Sequence, residues 1–224
     1  MPLVNPMTAP DISIYPANKR LQARTVRYEQ RQQGGGSVAE AWTYEHNADN
    51  SARFVLGTVG DNPLLCVGVN PSTAAPGDPD LTVSKVMGFA SRYGFDSWVM
   101  LNLYPQRSTD PKGMHLAYSP ELQAENERHI AELIDGRQLT VLAAWGELIE
   151  TRTYLPHMLE AIVSLAEASD CKWVSIGDFI KSGHPRHPSR ASYDWPLQSF
   201  DVGKYLRGVT ARAQARSRRY AEGE

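Results

Sequence analysis

The sequence predicts a single-domain α/β protein, a three-layer α/β/α sandwich with a mainly parallel central sheet. Two patterns point to it. Short apolar runs alternate with amphipathic stretches through the middle of the chain, and the chemically unusual residues fall directly after those runs. A continuous apolar run of strand length marks a strand buried on both faces, and strand–helix alternation builds parallel sheets covered on both sides. The 224 residues suffice for one such domain. They divide into a proline-broken arm (1–22), the α/β domain (23–203) and a basic helix or tail (204–224).

Taken in order, residues 24–47 hold two polar-alternating stretches around Gly34-Gly35-Gly36-Ser37, a hairpin or loop pattern. A strand is expected at 53–58, turned by Asp61-Asn62-Pro63, and a doubly buried strand at 64–69. Val83, Val86, Met87 and Ala90 recur with helical spacing, and Gly94 ends that helix. Residues 97–103 form the next strand. Ser119-Pro120-Glu121 opens a helix: the Ser caps free amides, the Pro fits the first turn and the Glu complements the dipole. A strand at 139–144, a helix through 158–168 and a strand at 172–176 follow, and residues 195–220 read as mostly helical.

Composition limits the function classes. The longest apolar run, Leu64–Val69, is far too short to cross a bilayer. The first residues lack a basic flank and are broken by prolines, so no signal peptide is expected. Cys66 and Cys171 are too few for a four-thiolate zinc or iron–sulfur site, and suggest a reduced, cytoplasmic protein, with one disulfide left open. The net charge of −2 hides a split: residues 204–224 carry six basic and two acidic side chains, leaving an acidic body. That end is either a solvated terminal helix or a contact to phosphates.

In parallel sheets, ligands bind beyond the carboxyl ends of the strands. The first doubly buried strand runs into Gly68-Val69-Asn70-Pro71-Ser72, which is an ordinary Asn-Pro turn or a projected amide. The second contains Asn102, whose amide either bonds nearby backbone or reads a base edge. Arg107 either forks onto a phosphate or pairs with Asp110. Asp78-Pro79-Asp80 either contacts a sugar hydroxyl or caps the next helix. The third strand ends in Trp145-Gly146, a packed turn or a helix start facing an anion. After the fourth comes Gly183-His184-Pro185-Arg186-His187-Pro188-Ser189-Arg190, a polar surface loop or a rigid presentation of imidazole and guanidinium to an anion. Neither a matching Cys nor an HExxH context accompanies the two histidines, so no metal and no cofactor are expected.

The order of these motifs resembles the uracil-DNA glycosylase superfamily. Gly68-Val69-Asn70-Pro71 is similar to its GxNP motif of the mismatch-specific branch, and His187-Pro188-Ser189 to its HPS motif. Asn102, Arg107 and Pro111 resemble the Asn-strand, Arg and Pro segment of its iron–sulfur branches, and residues 141–146 its apolar strand ending in Gly. The likeness covers about residues 64–190. The chain also resembles an uncharacterised bacterial and phage family known only as a domain of unknown function.

The glycosylase resemblance implies a monofunctional DNA N-glycosylase that flips a nucleotide and breaks its N-glycosidic bond. Asn70 would then position the water and His187 would donate to the base oxygen, with His184 as the rival imidazole. Gly68, Ser72, Asn102 and Phe89 would form the base site, with Phe95 an equal candidate for the stacking ring. Arg107, His184, Arg186, Ser189 and Arg190 would hold DNA, duplex or single-stranded. Uracil-specific members carry a Tyr where this chain has Ser72, so the resemblance implies a C5-substituted pyrimidine, such as hydroxymethylated or glucosylated cytosine of phage DNA, excised in anti-phage defence or repair. No membrane partner is expected. Two other functions stay open: hydrolysis of free modified nucleotides, which the acidic body favours, and non-catalytic nucleic-acid binding.

Overall fold

In a computed structural model, residues 25–28 and 40–222 are described. The arm at 1–22 and the glycine run at 34–37 lie outside them. Strands β1 (Thr25–Tyr28), β2 (Glu40–His46) and β3 (Arg53–Thr58) form an antiparallel ribbon, so the expected hairpin is present. Four parallel strands follow: β4 (Pro63–Gly68), β5 (Ser97–Asn102), β6 (Thr140–Ala143) and β7 (Lys172–Ile176). β8 (Leu197–Ser199) closes the far edge antiparallel to β7. The order across the sheet is β1-β2-β3-β5-β4-β6-β7-β8.

The sheet is therefore mixed, and the expectation of a mainly parallel sheet is corrected. Only its centre is parallel; the hairpin ribbon joins through β3 against β5, where Leu56 pairs with Met100 and Gly57 with Val99. A Cβ at Gly57 would lie 2.3 Å from the Trp98 carbonyl oxygen, so only glycine permits that approach. Residues 197–199, expected to be helical, are the edge strand β8 instead.

The apolar runs are buried on both faces because successive side chains point to opposite sides. Leu65, Val67, Leu101 and Val141 pack with the helices α2 (Pro120–Ile134), α3 (Leu155–Ala168) and α4 (Val202–Glu222). Leu64, Cys66, Met100 and Leu142 pack with Val83, Val86 and Phe89 of α1 (Leu81–Arg92). The local signals act as expected. Asp80 caps α1 by accepting from Val83 N at 2.9 Å, and Ser119 caps α2 by accepting from Leu122 N, each worth about 1 kcal/mol. Gly94 follows α1 with φ +74°.

The C-terminal segment is not an appendage. α4 begins at Val202 and buries Tyr205, Val209 and Ala213 at helical spacing. Arg212 and Arg216 pair with Glu150 at 2.8 and 3.2 Å, so part of the basic charge is neutralised within the fold. Lys204, Arg207 and Arg218 are exposed. Both cysteines are free thiols. No helix among the described residues is long and apolar enough to cross a membrane.

Candidate functional site

The strand order reverses direction about β4: the connection through α1 leads to β5 on one side, and the next leads to β6 on the other. A crevice opens beyond strand ends at such a point. Here it is a cleft of about 640 Å³, lined by the ends of β4, β5 and β6 and closed by the 180–190 loop.

Asn70 stands on the exit from β4. Its side-chain nitrogen donates to the carbonyls of Ser108 (2.8 Å) and Pro71 (3.1 Å). Carbonyls accept only, so the amide orientation is fixed, and Oδ1 has no hydrogen-bond partner among the described residues. The loop that sets this orientation is itself tied down: Ser108 N donates to Pro71 O, and Tyr104 N to Val69 O.

Asn102 ends β5, in parallel register with Gly68. A Cβ at position 68 would lie 3.3 Å from Asn102 Oδ1, so the glycine leaves room for that amide. Asn102 is 1% exposed, and its Nδ2 has no hydrogen-bond partner among the described residues. A buried donor without an acceptor is costly, and on the floor of a cleft it complements an acceptor on a ligand.

His187 faces the cleft from the loop after β7. Its Nδ1 lies 2.8 Å from Ser189 Oγ and accepts from Ser189 N at 3.4 Å. A backbone amide can only donate, so the neutral ring carries its proton on Nε2, which has no hydrogen-bond partner among the described residues. Burial holds the imidazole below its ordinary pKa of 6.5; Arg190 adds to this and Asp80 opposes it. His187 is thus a neutral donor at pH 7. Gly146, with φ +57°, passes beneath it; a Cβ there would lie 3.7 Å from the His187 Cβ.

Ser72, Arg186, Ser189 and Arg190 also line the cleft. Arg186 donates from Nε to Asp178 O and lies 4.4 Å over the Trp195 ring, while Arg190 is exposed. Four residues expected as site candidates are elsewhere. Phe89 is fully buried in the α1 core, against Tyr193, so it offers no stacking face. Phe95 packs against that core too. Arg107 neither faces the cleft nor pairs with Asp110; it braces loops by donating to Ser72 O, Tyr44 Oη and Asn50 Oδ1. His184 is 2% exposed and points away from the cleft residues into a buried network.

That network fixes its own protons. Trp145 Nε1 donates to Tyr205 Oη at 3.0 Å, and because the Glu150 carboxylate can only accept from Nε2 of the neutral His184 ring, Nδ1 accepts from the tyrosine hydroxyl at 2.7 Å. His184 Nε2 then carries a proton toward Glu150 Oε1 at 3.4 Å. Burial raises the Glu150 carboxyl, but Arg212 and Arg216 outweigh it and hold the group below its ordinary range.

The sequence pattern did not single out Arg53, which lines the cleft together with Asp80. Arg53 opens β3 and is 2% exposed. A charged residue leading the apolar run Phe54-Val55-Leu56 was the available signal. Asp80, read from the sequence within a segment that either contacts a sugar hydroxyl or caps a helix, caps α1 and also lines the cleft. Among the described residues Trp145 is the only Phe, Trp or Tyr lining the cleft, enclosed by Trp173, Phe200 and Tyr205. Among the described residues no group of three His, Cys, Asp or Glu is placed to hold a metal ion.

A family model described as protein of unknown function (DUF1643) matches residues 53–189, which span the strands and loops of this cleft. No curated protein and no solved structure matches the chain.

Proposed function

This chain belongs to the DUF1643 family, and we propose that it is a DNA base glycosylase of the uracil-DNA glycosylase-like three-layer type. One observation carries the reading: Asn70 and His187 line one cleft with an open acceptor and an open donor, around a floor where Asn102 keeps an unpaired donor. Hydrolysis of an N-glycosidic bond needs this polarity. Asn70 Oδ1 orients a water toward C1′. The C1′–N bond breaks with its electron pair on the base, and His187 Nε2–H donates to the base oxygen that gains charge. The water oxygen bonds C1′, and one of its protons leaves to replace the sugar on the base. Asn70 cannot take that proton, so the chemistry favours a base that departs readily. Asp80 Oδ1 is engaged in the helix cap, and its carboxylate brings negative charge to the cleft, where the sugar becomes cationic.

Ser72 is small, which favours a pyrimidine with a C5 substituent, such as hydroxymethylated or glucosylated cytosine, in defence against phage or in repair. The exposed Arg190 and the half-buried Arg186 suit the flanking phosphates. Abasic-site formation on duplex and single-stranded DNA containing uracil, mismatched thymine, or modified cytosine tests this. Release of the modified base, lost in Asn70→Ala, supports the reading. Release of uracil alone removes the C5 proposal, and equal behaviour of mutant and wild type removes the catalytic assignment. Hydrolysis of free modified nucleotides is the second reading, favoured because Arg212 and Arg216 are engaged by Glu150 rather than free for DNA. A non-catalytic binding module would tolerate Asn70→Ala and His187→Ala.

A further inference from the structure

Arg53 is the only Asp, Glu, Lys or Arg among the described residues that is buried, at 2% exposure. Its surroundings do not explain its charge. Nη1 donates to the Ala74 carbonyl at 2.9 Å, and Nε has no hydrogen-bond partner among the described residues. No carboxylate among the described residues lies within ion-pair distance of it. Burial and the like charge of Arg107 push its pKa down to about 10, with Asp80 opposing, so it stays cationic at neutral pH. A buried charge left unpaired is strongly destabilising, and well-packed apolar replacements of buried charges are often neutral or better. Retaining a guanidinium here calls for a partner that the described residues do not supply.

The cleft provides the place for one. Arg53 and Asn102 both line it, and each holds a buried nitrogen without an acceptor. The rim guanidiniums of Arg186 and Arg190 can meet a phosphodiester running along the surface; Arg53 can be met only by a group that enters. We infer that Arg53 binds an oxyanion, a phosphate or a carboxylate, that the substrate carries into the cleft. This deepens the proposed reading by naming a charge on its substrate, and it rests on the cleft being the substrate site rather than on which bond breaks there.

The test is binding to the full chain, by titration calorimetry and thermal shift. Deoxycytidine 5′-monophosphate is compared with deoxycytidine, and 5-carboxycytosine with cytosine. Wild type should bind at least one anionic probe about tenfold or more tightly than its neutral counterpart. The first pair reports a phosphate and the second a carboxylate on the base. Arg53→Met should fold and lose the preference. Arg53→Lys, which keeps the charge without the planar fork, should retain only part of it. If Arg53→Met does not fold, a wild-type preference undiminished in Arg53→Lys overturns the inference. It is equally overturned if neither anion outbinds its neutral partner, or if Arg53→Met keeps the preference. Anion binding without base release from any DNA leaves this site standing and removes the glycosylase reading.

Discussion

His184 and His187 stand three residues apart in one loop, and the fold uses them in opposite ways. His184 has both nitrogens engaged, by Tyr205 and Glu150, and joins the loop to α4. His187 has Nδ1 engaged by Ser189, and its Nε2 has no hydrogen-bond partner among the described residues. Inner histidine and Glu150 network form a fully engaged region; outer histidine, Asn70 and Asn102 form a region that keeps polar atoms without hydrogen-bond partners among the described residues. The difference teaches that an imidazole's role follows from which nitrogen the protein leaves open, not from its motif. Gly-His-Pro and His-Pro-Ser look equally functional in sequence.

Four expected outcomes probe that contrast. The largest follows deletion of 207–224, which removes Val209 and Ala213, both essentially fully buried, together with the partners of Glu150. The truncated chain should lose cooperative thermal unfolding by circular dichroism; a retained sharp transition would show that α4 is the dispensable tail its charge suggested. Next, His184→Ala should lower stability by roughly 2–4 kcal/mol in denaturant titration, because it opens a cavity and leaves the Tyr205 hydroxyl without its acceptor. The half-buried His187, replaced by Ala, should cost less than about 1 kcal/mol. Equal losses would erase the distinction.

The third outcome concerns acid. Burial lowers the folded pKa values of His129, His184 and His187 below their ordinary 6.5. Between those lowered values and 6.5 the unfolded chain binds more protons. Stability is therefore full above 6.5 and falls as pH drops through that value. Melting temperature should decline from about pH 7.5 to about pH 5.5, well before the Glu150 carboxyl, with its lowered pKa, titrates. A flat profile would contradict the buried neutral histidines.

Local rules made part of this legible in sequence. The strands at 53–58 and 172–176 lie where their apolar runs put them, and Asp80 and Ser119 cap as their positions demand. Those signals act within a few residues. What stayed hidden depends on distant partners. β8 is three residues long and exists by pairing with β7. The mixed sheet arises where β3 meets β5, more than forty positions away. Phe89 has the spacing of a core residue and the chemistry of a stacking ring, and only packing distinguishes them. Arg53 leads an apolar run in the sequence, but only its burial marks the charge as unusual. The motif order did bring Gly68, Asn70, Asn102, His187 and Ser189 to one cleft, because strand ends of a parallel core converge.

The fourth outcome tests the central claim most directly: single-turnover release of a C5-substituted cytosine from DNA by wild type and His187→Ala, with melting curves recorded on the same preparations. Removing one donor from a developing anion should slow release by about 10²–10³-fold while the melting temperature changes little. Release at the wild-type rate by a folded His187→Ala would contradict the account.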